Sequence, residues 1–415
     1  MKFWESLVIL FCIYPQISVK AETIVVSNEY GTLNQQLCKD NVTYHIVDVF
    51  DLGKDTVSIP ANCILKFSDS GRLFNGVIEG KNTTIEASRH QIFENITIEG
   101  TWSNQDVYSQ WVCLKQGGES NNDQFKNLMV LCKGELMTHL YTQEGNFYLS
   151  PVEGSAPILI PSNTHWHNSS IIRLRECNYT KYSLVYLNKV NNVTIDGGEF
   201  VGDLVRHLGT QGEWGHGIKC GGATNIVLKN LTCKNFWGDG IDLIEGLDSE
   251  GKATIICDSI LIDNVKCLYN RRQGLSIEAA KNVKVLNSEF CYTGVFKKTD
   301  PSAGIDVEPW NDNGRKLADI VIRNCILSNN KGPDLMIYTP KQIEVDRSAM
   351  KLINVSVENC QIGFSFVYRV AGIDFRQCNI KDVIRIDYSD FINIDKETRL
   401  KRQVMQDNGF NVKIE

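Results

Sequence analysis

From Asn191 onward the chain alternates apolar and polar residues in short runs: NNVTIDGGEF, TNIVLKNLTC, DSILIDNVKC, KNVKVLNSEF, ADIVIRNCIL and MKLINVSVEN. Successive side chains of an extended strand point to opposite faces, so each run predicts a short strand with one apolar face. The runs recur at intervals of roughly 24 to 37 residues, the range of stacked-coil architectures. Asparagines and glycines mark the bends, and no long helical pattern intervenes. Short β-branched strands repeated without helices predict an all-β chain of coils stacked into a parallel β-helix.

A second repeat follows the first: HGIKCG, DGIDLI, QGLSIE, AGIDVE and KGPDLM. Aligning their glycines predicts one outward column of Lys219, Asp242, Ser276, Asp306 and Asp334. The next column is Gly221, Ile244, Glu278, Glu308 and Met336. The positions between are mostly aliphatic or Cys and are expected to face a core.

The flanks differ. Residues 22–100 read as an N-terminal β-rich module and 101–150 as a linker with a capping helix, in which Phe125, Leu128, Met129 and Cys132 share a face. The β-helix is expected over 151–394. A C-terminal cap is expected over 395–415, with a helix in DKETRLKRQVMQDNG, since solenoids need polar ends.

Composition narrows the class. Hydrophobic content of 42% and a net charge of -6 describe an ordered globular chain with no broad attraction for nucleic acid or anionic membrane. Residues 1–21 carry Lys2, an apolar run from Leu7 to Ile13 and small residues near a cleavage point, the pattern of a signal peptide. That run is too short to span a bilayer, so a secreted, periplasmic or cell-surface protein is expected, without membrane insertion. Cys233, Cys267, Cys291, Cys325, Cys360 and Cys378 follow apolar alternations and read as small core residues. No Cys and His grouping has zinc-ligand spacing, so no metal is assigned.

TVSIPANCILKFSDSGRLFNGVIEG, GGEFVGDLVRHLGTQGEWGHGI, NFWGDGIDL, NRRQGLSIEAAKNV and AGIDVEPW together resemble the secreted parallel β-helix proteins of the pectate-lyase-like superfamily, from about Thr56 to Glu358. The resemblance implies a single-stranded right-handed parallel β-helix and a carbohydrate-active protein with a polysaccharide or oligosaccharide substrate. WGDGID is also similar to the first catalytic motif of polygalacturonases. RRQGLSI stands where that family has adjacent aspartates.

Glycoside hydrolysis needs one carboxylic acid and one carboxylate. Asp239, Asp242, Asp306 and Glu308 are the catalytic candidates, with the last two expected about 6.6 to 7 Å apart on one strand. Stacking of Glu278 beside Glu308 would raise a carboxyl pKa by like-charge repulsion. His216, Lys219, Arg271, Arg272 and Glu278 are candidate substrate-binding residues, the arginines suiting an acidic glycan. Trp237 and Trp310, with Trp214, are candidate platforms for sugar rings. The alternatives are a polysaccharide lyase, with Lys219 or Arg272 as base and Ca²⁺ on the acidic cluster, and a non-catalytic glycan-binding surface. Outside the lyase reading no cofactor is expected.

Overall fold

The structure, a computed structural model, describes residues 22–309, 317–339, 352–402, 404–407 and 409–415. The expected signal peptide and Trp310 lie outside the described residues. Three long parallel sheets run side by side. One has ten strands, from Asn146–Leu149 to Arg399–Leu400; a second has ten, from Ile158–Leu159 to Met405–Asp407; the third has twelve, from Asp106–Tyr108 to Phe410–Ile414. Each coil gives one strand to each sheet, so the chain is the parallel β-helix that its repeats predict.

Register follows from the apolar alternation. Val193, Ile226, Ile260, Val283, Ile320 and Val355 are successive partners in the twelve-stranded sheet, each nearly or completely buried. A one-residue slip would send the whole row to solvent, which is why the pairing is fixed so firmly. In the first ten-stranded sheet the inward row runs Phe200, Cys233, Cys267, Phe290 and Leu327. All the described cysteines are free thiols, and those named above are buried. They serve as compact core residues, as expected.

Asparagine makes the corners. Asn230, Asn264, Asn287, Asn324 and Asn359 all adopt left-handed backbone conformations, which Asn tolerates better than other chiral residues. Their side chains also bond from coil to coil: Asn264 donates to Asn230 at 2.9 Å, Asn324 to Asn287 at 3.0 Å and Asn359 to Asn324 at 2.9 Å.

The helix expected near residue 125 spans Asn122–Leu131, with Phe125, Leu128, Met129 and Leu131 buried. It lies against the strands Phe93–Trp102 and Ile158–Leu159. Asn127 accepts from the Ile98 amide at 3.0 Å and donates to the Ile96 carbonyl at 2.7 Å. The helix thereby satisfies backbone groups that would otherwise be buried without partners.

The helix expected within 395–409 does not form among its described residues. Arg399–Leu400 and Met405–Asp407 instead extend the two ten-stranded sheets. Asp395 accepts from both the amide and the hydroxyl of Thr398, at 2.9 and 2.6 Å, closing a turn. Leu400 then pairs with buried Ile380. Packing of the partly buried Leu400 against the core, with the sheet pairing, prevails over the helical propensity of the charged residues around it. No helix among the described residues is long and apolar enough to cross a membrane.

Candidate active site

Four neighbouring strands of the second ten-stranded sheet carry the acidic motifs: Trp214–Gly221, Ile241–Ile244, Gln273–Ile277 and Ala303–Val307. The repeated glycines have a steric cause. A Cβ on Gly217 would lie 2.4 Å from the Gly240 carbonyl oxygen, and one on Gly274 would lie 2.5 Å from that of Gly304. Only glycine lets successive coils close at this corner, and this closure sets the register downstream.

Lys219, Asp242, Ser276 and Asp306 form one row, as their glycines predict. Asp334 does not join it, because Met336 is the partner of Asp306. The amide of Gly332 donates to Ser302 rather than lying beside Gly304, which offsets the last coil by two residues. Asp334 instead sits in the turn after Pro333, accepting from Asn330 Nδ2 at 2.7 Å and from the Phe364 amide at 2.8 Å. The acidic row therefore ends at Asp306, against the largely buried Met336.

Asp239, Asp242 and Asp306 are almost completely buried, and each keeps one carboxyl oxygen that is both buried and without a hydrogen-bond partner. The other Asp239 oxygen is 3.0 Å from Arg272 Nη1. His216 links two coils, its Nδ1 accepting from the Asp239 amide at 3.3 Å while its Nε2 faces Asp242 Oδ2 at 3.7 Å. The same Nδ1 also lies 3.3 Å from Asp239 Oδ2. Lys219 Nζ stands 3.9 Å from the same Asp242 oxygen. Gln273 Nε2 donates to Asp306.

Burial pushes Asp306 well above the usual carboxylate range, and the charge of Glu308 adds to the shift. Burial also raises Glu308, with Asp239 adding and Arg272 opposing. The carboxyls of Asp306 and Glu308 interact, so they titrate as a pair and not as two independent groups. Glu308 lies beyond the strand end, where alternation no longer fixes the direction of a side chain. Glu278 is raised well above its ordinary value, first by burial and then by Asp242.

The arginines are engaged within the protein. Arg271 is buried, donates to the Gly212 carbonyl at 2.7 Å and lies 3.7 Å over the Trp237 ring. Trp237 is itself buried, with His207 stacked on its ring at 3.9 Å. His207 Nδ1 meets Asp203 at 2.8 Å, and Tyr182 donates to Asp203 at 2.6 Å. Neither Trp237 nor Arg271 therefore offers a surface to a sugar; they clamp the loop at residues 202–213 onto the coil. That loop brings Glu213 to Arg272 Nε at 3.2 Å, a partner with no signature in the sequence. Burial opposes the charge on Arg272, but Asp239, Glu278, Asp306 and Glu213 outweigh it and raise its pKa. Trp214 remains half exposed at the rim, the one predicted platform the structure leaves open among the described residues.

A Ca²⁺ site needs several oxygens converging on one point. No three of these carboxylates bring ligand oxygens within 4.8 Å of one another among the described residues, so the acids as placed do not fit that ion.

No protein-family model matches the chain. Two curated relatives from Bacillus subtilis (strain 168) align with part of it. The SPbeta prophage-derived uncharacterized protein YorA is 24% identical over 49% of this chain and 38% of its own length. The uncharacterized protein YclG is 26% identical over 38% of this chain and 28% of its own. The matched regions thus span well under half of either relative. Among solved structures, the A-module of the Azotobacter vinelandii mannuronan C-5 epimerase AlgE4 is similar at TM-score 0.44 and 10% identity, over 73% of this chain and 95% of that one. The N-terminal fragment of bacteriophage Phi29 gene product 12 is similar at TM-score 0.48 and 13% identity, over 74% and 65%.

Proposed function

We propose that the chain is a glycan-active enzyme that hydrolyses glycosidic bonds of a polysaccharide at the row of acids on its second ten-stranded sheet. One observation carries the reading: Asp239, Asp242, Asp306 and Glu308 gather on neighbouring coils around His216 and Arg272, and burial holds the carboxyls of Asp306 and Glu308 above their ordinary range.

In this reading Asp306 and Glu308 supply the general acid, because burial, with the charge of Glu308 acting on Asp306, holds their carboxyls above the ordinary range. Asp242 is the base that activates water, with His216 and Lys219 beside it. Two coil steps at about 4.8 Å separate the two functions by roughly 9–10 Å, at the upper end of the inverting range. Arg272 is held charged by four carboxylates, which makes it a poor base and weakens the lyase alternative. Since both arginines are engaged internally, Lys219 is left to meet an acidic substituent, and Trp214 offers a ring face to the sugar. Export belongs to the proposal and rests on residues 1–21.

The test is turnover of a panel of acidic and neutral glycans, with the anomer of the first product read by NMR. Asp242→Asn and Glu308→Gln should each lower the rate on the order of 10²–10⁴-fold while leaving affinity largely intact. An unsaturated, ultraviolet-absorbing product would replace the hydrolase with the lyase. Glycan binding without turnover in the unaltered protein would leave a binding surface only.

A further inference from the structure

A second cluster lies on a different face of the solenoid. His139, His165 and His167, three of the seven histidines, project from adjacent strands of the twelve-stranded sheet, Thr138–Thr142 and Thr164–Asn168. His139 is the register partner of His165, and His167 follows two residues along on the same face. Alternation and parallel pairing thus gather three imidazoles from a short stretch of two coils. One nitrogen from each ring lies within 4.8 Å of the others, and His139 Nδ1 and His167 Nε2 are already 3.1 Å apart. Tetrahedral coordination with metal–nitrogen bonds of about 2.0–2.1 Å requires separations of about 3.4 Å.

A further feature suits a metal. Nε2 of His165 is buried without a hydrogen-bond partner, so one lone pair or N–H is unspent. The surroundings balance in charge, with Asp196 ion-paired to Lys229 at 3.1 Å and Asp106 beside His139 in register. Tyr141 stacks on His167 at 4.6 Å and limits the ring from one side. His165 and His167 lie face to face at 3.9 Å. Ligation would turn them edge-on, a side-chain movement open to half-buried rings.

We propose that His139, His165 and His167 form a three-imidazole site for a borderline divalent transition metal such as Zn²⁺, with a fourth position open to water or a ligand. This site is independent of the acidic row. The experiment uses the full chain without a histidine tag, titrated with Zn²⁺ in competition with a chromophoric chelator and, separately, with Co²⁺ followed by visible absorption. One equivalent should bind, with the absorption of a four- or five-coordinate Co²⁺ ion. Affinity should fall on the order of 100-fold or more in His165→Asn and in His167→Asn, since even outer-sphere partners change metal affinity 10–100-fold. Circular dichroism checks that each variant is folded, and His139→Gln supplies a third, independent removal. Stoichiometric binding that survives all three substitutions, or no binding to the unaltered chain at millimolar Zn²⁺, would overturn the proposal.

Discussion

Replacing Asp306 by Asn separates a carboxyl kept for chemistry from one kept for the fold. The side chain is fully buried, receives a hydrogen bond from Gln273 and has its carboxyl raised by burial and by the charge of Glu308. Asn is nearly isosteric, and its oxygen can take the Gln273 bond. The folded-state pKa lies well above the ordinary value, so above about pH 4 the unfolded chain releases this proton while the folded chain resists. Below pH 4 the group is protonated in both states and contributes no difference. As pH rises through the window between the unfolded and the raised folded pKa, the unaltered protein loses about 1.4 kcal/mol per pH unit from this group alone. Beyond the folded pKa the loss is complete and constant. With an unfolding entropy of about 2.1 cal/mol/K per residue over the whole chain, that slope corresponds to roughly 1.5 °C of Tm per pH unit. Scanning calorimetry of both proteins from pH 4 upward should therefore show Asp306→Asn gaining on the unaltered protein with this slope until the raised folded pKa is passed, while glycan turnover falls on the order of 10²–10⁴-fold. A variant that is less stable than the unaltered chain at pH 7, or whose Tm difference ignores pH, would refute the reasoning and make Asp306 a structural residue.

Two other outcomes follow from the packing. Asp203→Ala should cost about 3–5 kcal/mol in urea unfolding, because it strips the buried Tyr182 hydroxyl and His207 ring of a shared partner; it should also weaken the clamp on the loop carrying Glu213. Of the described cysteines, exposed Cys38 should react with a thiol reagent in seconds to minutes, while buried Cys257 and Cys360, both raised to about 12, respond only after denaturation. Fast native labelling of the buried set would mean that the coils open locally.

Much of the solenoid was legible because its rule is local: alternation fixes the face, asparagine the corner and glycine the register. Lys219, Asp242, Ser276 and Asp306 stack as the glycines indicated. The same alignment failed at Asp334, where Gly332 occupies another point in its coil and Pro333 precedes a turn. The fates of Arg271 and Trp237 were hidden because both depend on the 202–213 loop folding back onto a later coil, a contact between residues 59 apart for Arg271 and Gly212. Glu213 was missed for the same reason. The carboxyl-terminal charges suggested a helix by composition, yet Leu400 had a place in the sheet. The alternating His165 and His167 were visible in THWHN, but His139 reaches them only through coil stacking.

The row from Lys219 to Asp306 also makes distance a stepwise quantity. Any two of its side chains are separated by a whole number of rungs, each about 4.8 Å, so an acid and a base on this ladder can stand one rung apart or two, with nothing between. Ser276 occupies the middle rung. Carrying a carboxylate from position 242 to position 276 would halve the span between the two groups and move them from the separation used by inverting catalysts toward the roughly 5 Å of retaining ones. In such a scaffold, the stereochemical outcome of a reaction can change by relocating one residue along the ladder without altering the path of the backbone.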